Sequence, residues 1–102
     1  MTNAGNGVYY SILKDPDIAV RGELFPALVP QAAIITVASP YKEGKWAIKV
    51  RAGLLFPTGK SILDLNLPNL GGRWDAGNTK RSGGYPGNPL DFIHLIVNGM
   101  NS

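Results

Sequence analysis

Basic side chains are concentrated in the middle of the chain, and their type and spacing suit them to bind an anionic ligand. Residues 42–81 carry eight cations against three acids, although the formal net charge of the 102-residue chain is only +3. Cations gathered in this way attract partners that carry phosphate groups. The other interpretation is that the charges keep a small domain soluble.

The segment 45–52 places part of this charge on one side of a strand. Its residues alternate between polar and apolar, and successive side chains of a strand point to opposite faces. One face therefore carries cations and the other is suited to a core. The cations are Lys45, Lys49 and Arg51, and the apolar residues are Trp46, Ile48, Val50 and Ala52.

A second group of cations lies in the segment 69–89, which contains six glycines and lacks apolar periodicity. This pattern predicts a long glycine-rich loop, and glycine allows a ligand to approach the backbone closely. Single-stranded nucleic acids are held by cations that track phosphates and by aromatic rings that stack on bases. The predicted phosphate contacts are Lys45, Lys49, Arg51, Arg73, Lys80 and Arg81, and the predicted stacking residues are Trp74 and Tyr85.

These residues predict a non-catalytic nucleic-acid-binding module that favours single-stranded DNA or RNA. The order of a basic strand, a turn and a second amphipathic strand resembles small phage single-strand-binding proteins in general character, without a shared residue-level motif. The alternative is a small protein-interaction or assembly module, such as an inhibitor, an accessory subunit or a virion component. Short β domains with exposed edge strands readily pair with a partner or with themselves.

Catalytic and cofactor motifs are weak in the sequence, so we expect no enzyme activity and no cofactor. Gly59-Lys60-Ser61 resembles the end of a phosphate-binding loop, but Gly53 lies one position too far upstream for that motif. With His94 as the single histidine and no cysteine, the ligands of a zinc site are missing, and we expect no bound metal. The seven carboxylates include no closely spaced pair in an apolar setting.

The pattern of short apolar segments predicts a mainly β fold. The favoured architecture is a small single-domain barrel or roll of five to six short strands, similar to an OB fold. An α+β arrangement with residues 90–98 helical is the alternative. The strand candidates are 8–13, 18–25, 32–38, 45–52, 61–67 and 92–97.

The organisation predicted along the chain is simple. Residues 1–7 are rich in glycine and asparagine and predict a flexible tail, and residues 8–102 predict one globular domain. No signal-peptide pattern opens the sequence, and no apolar run reaches the ~18–20 residues of a membrane helix. We therefore expect a cytoplasmic protein without a membrane partner.

Overall fold

A six-stranded mixed sheet and a C-terminal helix form the fold that is seen in residues 1–14, 27 and 29–100, which the computed structural model describes. The strand order is β1-β2-β3-β4-β6-β5, with β2 and β3 parallel and the other neighbours antiparallel. The strands are β1 (Thr2–Gly5), β2 (Val8–Ile12), β3 (Ile34–Pro40), β4 (Trp46–Ala52), β5 (Gly71–Arg73) and β6 (Ala76–Asn78), and the helix is α1 (Pro89–Met100).

The three strands β2, β3 and β4 form the centre of the sheet, as their apolar patterns predict. β3 is buried from Ile34 to Ser39, which fits its continuous run of apolar and β-branched residues. It pairs with β4 through a short connection that contains a 3₁₀ turn at Lys42–Gly44. The predicted strands at 8–13, 32–38 and 45–52 are therefore confirmed within one or two residues at each end.

Helix α1 covers one face of the sheet. Phe92 and Ile96 are fully buried against Ile34 and Ile48, because helical spacing places residues four apart on one side. The helix begins at Pro89, after Asn88 accepts a hydrogen bond on its side-chain oxygen from the Leu90 amide at 2.9 Å. The predicted strand at 92–97 is wrong, and the α+β alternative with residues 90–98 helical agrees with the structure.

The N-terminal residues form an edge strand and not the predicted flexible tail. Asn6 and Gly7 have φ values of 52° and 80°, as a two-residue type I′ turn between paired strands requires. The amide of Asn6 also donates from its side chain to the Val97 carbonyl of α1 at 3.0 Å. The asparagine–glycine pair is thus a hairpin signal.

The segment 61–67 is a 3₁₀ turn over Ile62–Leu65 and not the predicted strand. Ser61 accepts a hydrogen bond on Oγ from the Leu63 amide, and the Asp64 carboxylate accepts one from the Ser61 amide, both at 3.1 Å. These two hydrogen bonds form a capping box that stabilises the 3₁₀ turn, although the alternating leucines of the segment favour a strand. As a result Ile62 is buried, and Leu63, which the strand pattern places inward, is exposed.

The segment 69–89 contains regular structure, although its composition predicts a long loop. It forms the hairpin of β5 and β6, a 3₁₀ turn at Thr79–Ser82 and the start of α1. Strands β1 and β5 lie at opposite edges of the described sheet, so the sheet is open. The fold is mainly β with a C-terminal helix, and the predicted OB-like barrel is not confirmed.

Two further predictions concern the segment 18–25 and the absence of a membrane helix. The alternating segment 18–25 lies outside the described residues. Among the residues that are described, no helix combines the length and the apolar character needed to cross a bilayer.

The side chain of Thr79 extends the sheet beyond the last paired residue of β6. Thr79 is fully buried, and its Oγ1 accepts a hydrogen bond from the Ile48 amide and donates one to the Trp46 carbonyl, both at 2.9 Å. A side-chain hydroxyl therefore takes the place of a strand backbone along β4. It fixes the 3₁₀ turn that follows β6 against the central sheet.

Replacing Thr79 with valine tests this contact. The shape is kept but the buried Ile48 amide loses its acceptor, so we expect the free energy of unfolding in urea to fall by about 1–3 kcal/mol. Hydrogen exchange at the Ile48 amide should also accelerate. The Thr79→Ser variant keeps the hydroxyl and should leave that amide protected; equal exchange in both variants would show that the hydroxyl does not support β4.

Candidate functional site

Cations from three parts of the chain line one cavity at the β4–β6–β5 end of the sheet. The cavity has a volume of about 410 Å³, within the range of small-ligand pockets of ~300–1,000 Å³. It lies on the face opposite α1, because Lys49 and Arg51 alternate with the core residues Ile48 and Val50. We call it the basic cavity, and the side chains and backbone that carry its polar groups are Lys49, Arg51, Gly71, Gly72, Arg73, Asn78 and Arg81.

The register of the strands brings these residues together. Lys49 of β4 lies opposite Asn78 of β6, and Arg51 lies opposite Ala76. Ala76 in turn lies opposite Arg73 of β5. Residues that are paired across a sheet project to the same side, so Lys49 and Arg51 of β4 and Arg73 of β5 share one face.

Arg73 is held by a charged hydrogen bond within its own hairpin. Its Nε donates to Asp75 Oδ1 at 2.8 Å, and the two residues are separated only by Trp74 at the hairpin tip. A guanidinium has five N–H donors, so this bond orients the group and leaves its terminal nitrogens for a second anion. The Arg73 side chain is 67% exposed, whereas Asp75 is 24% exposed.

Glycines make the basic cavity accessible from the backbone side. A Cβ atom placed on Gly71 would lie 2.9 Å from Arg81 Cδ, so the absence of a side chain lets Arg81 cross the hairpin. A Cβ atom on Gly72 would overlap the Ala76 carbonyl oxygen of the paired strand. Gly71 therefore lets the Arg81 side chain pack on β5, and Gly72 lets β5 lie close to β6. The missing side chains also expose backbone groups of β5 to a ligand.

Two predicted phosphate contacts lie outside this cavity. Lys45 Nζ is 3.9 Å from the Glu43 carboxylate, in the turn before β4. Lys80 Nζ lies 5.6 Å from the centre of the Tyr41 ring, where it makes a cation–π contact. The structure therefore groups Lys49, Arg51, Arg73 and Arg81, and it places the other two cations beside Tyr41 and Glu43.

The two predicted stacking residues have different surroundings. Tyr85 packs edge-on against Phe92, with ring centres 5.1 Å apart, and its backbone pairs with Trp46. Its ring belongs to the edge of the core. Trp74 is 59% exposed at the tip of the β5–β6 hairpin and borders a second cleft, which it shares with Arg51.

Reasoning from the sequence missed the contribution of Asn78. Its side-chain oxygen accepts from the Lys80 amide at 2.9 Å and begins the 3₁₀ turn that carries Arg81. An asparagine ahead of threonine is a capping signal, but the expectation of a loop hid it.

Metal ligands are not grouped in the described part of the chain: no three or more His, Cys, Asp or Glu side chains there are arranged to hold an ion.

Comparisons with known proteins show the fold. No protein-family model matches the chain, and no curated protein matches its sequence. Among solved structures, the chain is similar to the pGpG-specific phosphodiesterase PggH from Vibrio cholerae, with a TM-score of 0.61 and 13% sequence identity. The match covers 95% of this chain and 35% of that protein, so the chain spans about a third of the phosphodiesterase's length.

This likeness corrects the functional prediction. The sequence predicts a non-catalytic nucleic-acid-binding module, but the fold that the chain shares occurs within an enzyme. The predictions of a protein partner, of self-association through edge strands, and of a chain that is not itself an enzyme stay predictions.

Replacing Gly72 with alanine tests whether the hairpin needs this glycine. The new methyl group would meet the Ala76 carbonyl and would come within 2.5 Å of Gly77 Cα, so we expect strands β5 and β6 to separate. The matched control is Gly59→Ala, whose φ is also positive but whose added Cβ has no atom within 4 Å. We expect a loss in unfolding free energy of about 1 kcal/mol for the control, from backbone strain alone, and a larger loss for Gly72→Ala. Equal losses would contradict the steric argument.

Proposed function

We propose that the basic cavity binds the phosphate of a short nucleotide, and that the chain orients this substrate for phosphodiester hydrolysis. The observation that carries the proposal is the convergence of four cations from β4, β5 and the 3₁₀ turn on one cavity. A nucleotide phosphate is the small-molecule group that such an arrangement fits best, because planar guanidinium groups bind phosphate oxygens in pairs.

Arg51 and Arg73 are the residues best placed for this role. They project from strands on either side of β6, so their guanidinium groups approach a ligand from two sides. Arginine clamps of this kind also offset the negative charge that develops on phosphate during transfer. Binding and charge stabilisation would then come from the same two side chains.

The structural neighbour supports the choice of reaction and of substrate size. That protein is a phosphodiesterase specific for pGpG, a dinucleotide with a terminal phosphate. A cavity of about 410 Å³ suits one or two nucleotide units better than a long strand. We therefore propose short phosphorylated nucleotides as the substrate class, with pGpG as the probe.

Titration calorimetry with pGpG tests the proposal. A hydrogen bond to a charged group contributes about 1.5–3 kcal/mol, so Arg51→Met and Arg73→Met should each raise the Kd roughly 10- to 150-fold. The affinity of the unaltered chain for pGpG should decrease when the salt concentration is raised from about 50 to about 500 mM, because salt screens exposed charges.

Lys42→Met is the matched control. Lys42 is an exposed cation in the turn before β4, where it lies 5.4 Å from the centre of the Tyr41 ring and does not line the basic cavity. Its replacement removes one positive charge, as the arginine variants do, and should change the Kd less than about twofold. No binding of pGpG at low salt, or equal effects of all three substitutions, would contradict the proposal.

A further inference from the structure

A second cleft adjoins the basic cavity and shares one of its cations. The cleft has a volume of about 320 Å³ and lies between the β5–β6 hairpin and the turns that follow β4. Arg51 lines both cavities, and the two are therefore neighbours on the surface. The residues of this second cleft are Arg51, Ala52, Gly53, Phe56, Pro57, Thr58, Gly59, Trp74 and Asp75.

The walls of the cleft are suited to a flat aromatic ligand. Trp74, with 59% of its surface exposed, lines the cleft together with Phe56 and Pro57. An exposed indole at a hairpin tip offers a large apolar surface, and a flat ligand that covers it gains the free energy of apolar burial. Bases stack on such rings irrespective of their sequence.

Hydrogen bonds of the backbone position Trp74 beside the cleft. The Trp74 carbonyl accepts from the Ile62 amide, and the Asp75 carbonyl accepts from the Ala52 amide, both at 2.8 Å. The turn after β4 is held by the Phe56 amide, which donates to the Gly53 carbonyl at 3.2 Å. The backbone that carries the lining side chains is therefore hydrogen-bonded on both segments of the cleft.

From this geometry we infer that the cleft is a nucleobase subsite, in which a base stacks on Trp74 while its neighbouring phosphate lies at Arg51. This inference rests on the proposed function and sharpens it. A ligand that occupies both cavities must carry a base next to a phosphate, as pGpG does. Arg51 also has donors to spare for acceptor atoms on the edge of a base.

The test compares three ligands in calorimetry: pGpG and two analogues that each lack one of its guanine bases. Removing an aromatic platform weakens base binding, so Trp74→Ala should raise the Kd for pGpG roughly 5- to 150-fold, and Trp74→Phe should restore most of the affinity. For the analogue that lacks the stacked base, Trp74→Ala should leave the Kd unchanged. Thermal unfolding of each variant shows that the fold is intact, since the bonds at Trp74 come from its backbone.

The outcomes separate the two claims. If pGpG binds and depends on Arg73 but Trp74→Ala has no effect, the base subsite is overturned and the phosphate site stands. The base subsite is also overturned if Trp74→Ala weakens pGpG and both analogues equally, because the indole would then act without contacting a base. If the unaltered chain binds none of the three ligands, the proposed function fails first.

Discussion

The outer edge of β4 is hydrogen-bonded by residues 75–85, and this pairing determines where Arg73 and Arg81 lie relative to Lys49 and Arg51. The Ala52 amide donates to the Asp75 carbonyl, β6 pairs with Lys49 to Arg51, and the Thr79 hydroxyl satisfies the next position. Tyr85 then closes the edge through two backbone bonds to Trp46. A shift of one residue in this register would turn Arg73 of β5 toward α1, so the site depends on backbone pairing before it depends on charge.

Bringing like charges together has a cost that the fold offsets locally. The carboxylate of Asp75 holds the Nε of Arg73 at 2.8 Å, and the aliphatic stem of Arg81 lies over Gly71. These contacts keep the arginines oriented in the absence of a ligand. A bound phosphate would relieve the remaining repulsion, and any ligand that binds only the folded state also stabilises it.

How much of the fold can be predicted depends on the length of each pattern. Strands β2, β3 and β4 have five to seven residues, enough for alternation or continuous burial to be visible in the sequence. β5 and β6 have three residues each, and half of these six residues are glycine, so the strands carry no periodic signal. At 61–67 the leucine spacing favours a strand, but the local bonds of Ser61 and Asp64 decide the structure. Charge in the sequence predicts a group that contains Lys49, Arg51, Arg73 and Arg81, but only the fold leaves Lys45 and Lys80 out of it. The cleft beside Trp74 likewise needs the fold of residues 53–59.

The central claim is that a short phosphorylated nucleotide binds on the face of the sheet opposite α1, at the β4–β6–β5 end. A titration of the ¹⁵N-labelled chain with pGpG, followed by amide chemical shifts, measures the location of binding residue by residue. We expect saturable shifts at the amides of Gly71, Gly72 and Gly77, with the amides of α1 unchanged. Shifts confined to β1, β2 or α1, or no saturable shift at all, would contradict the claim.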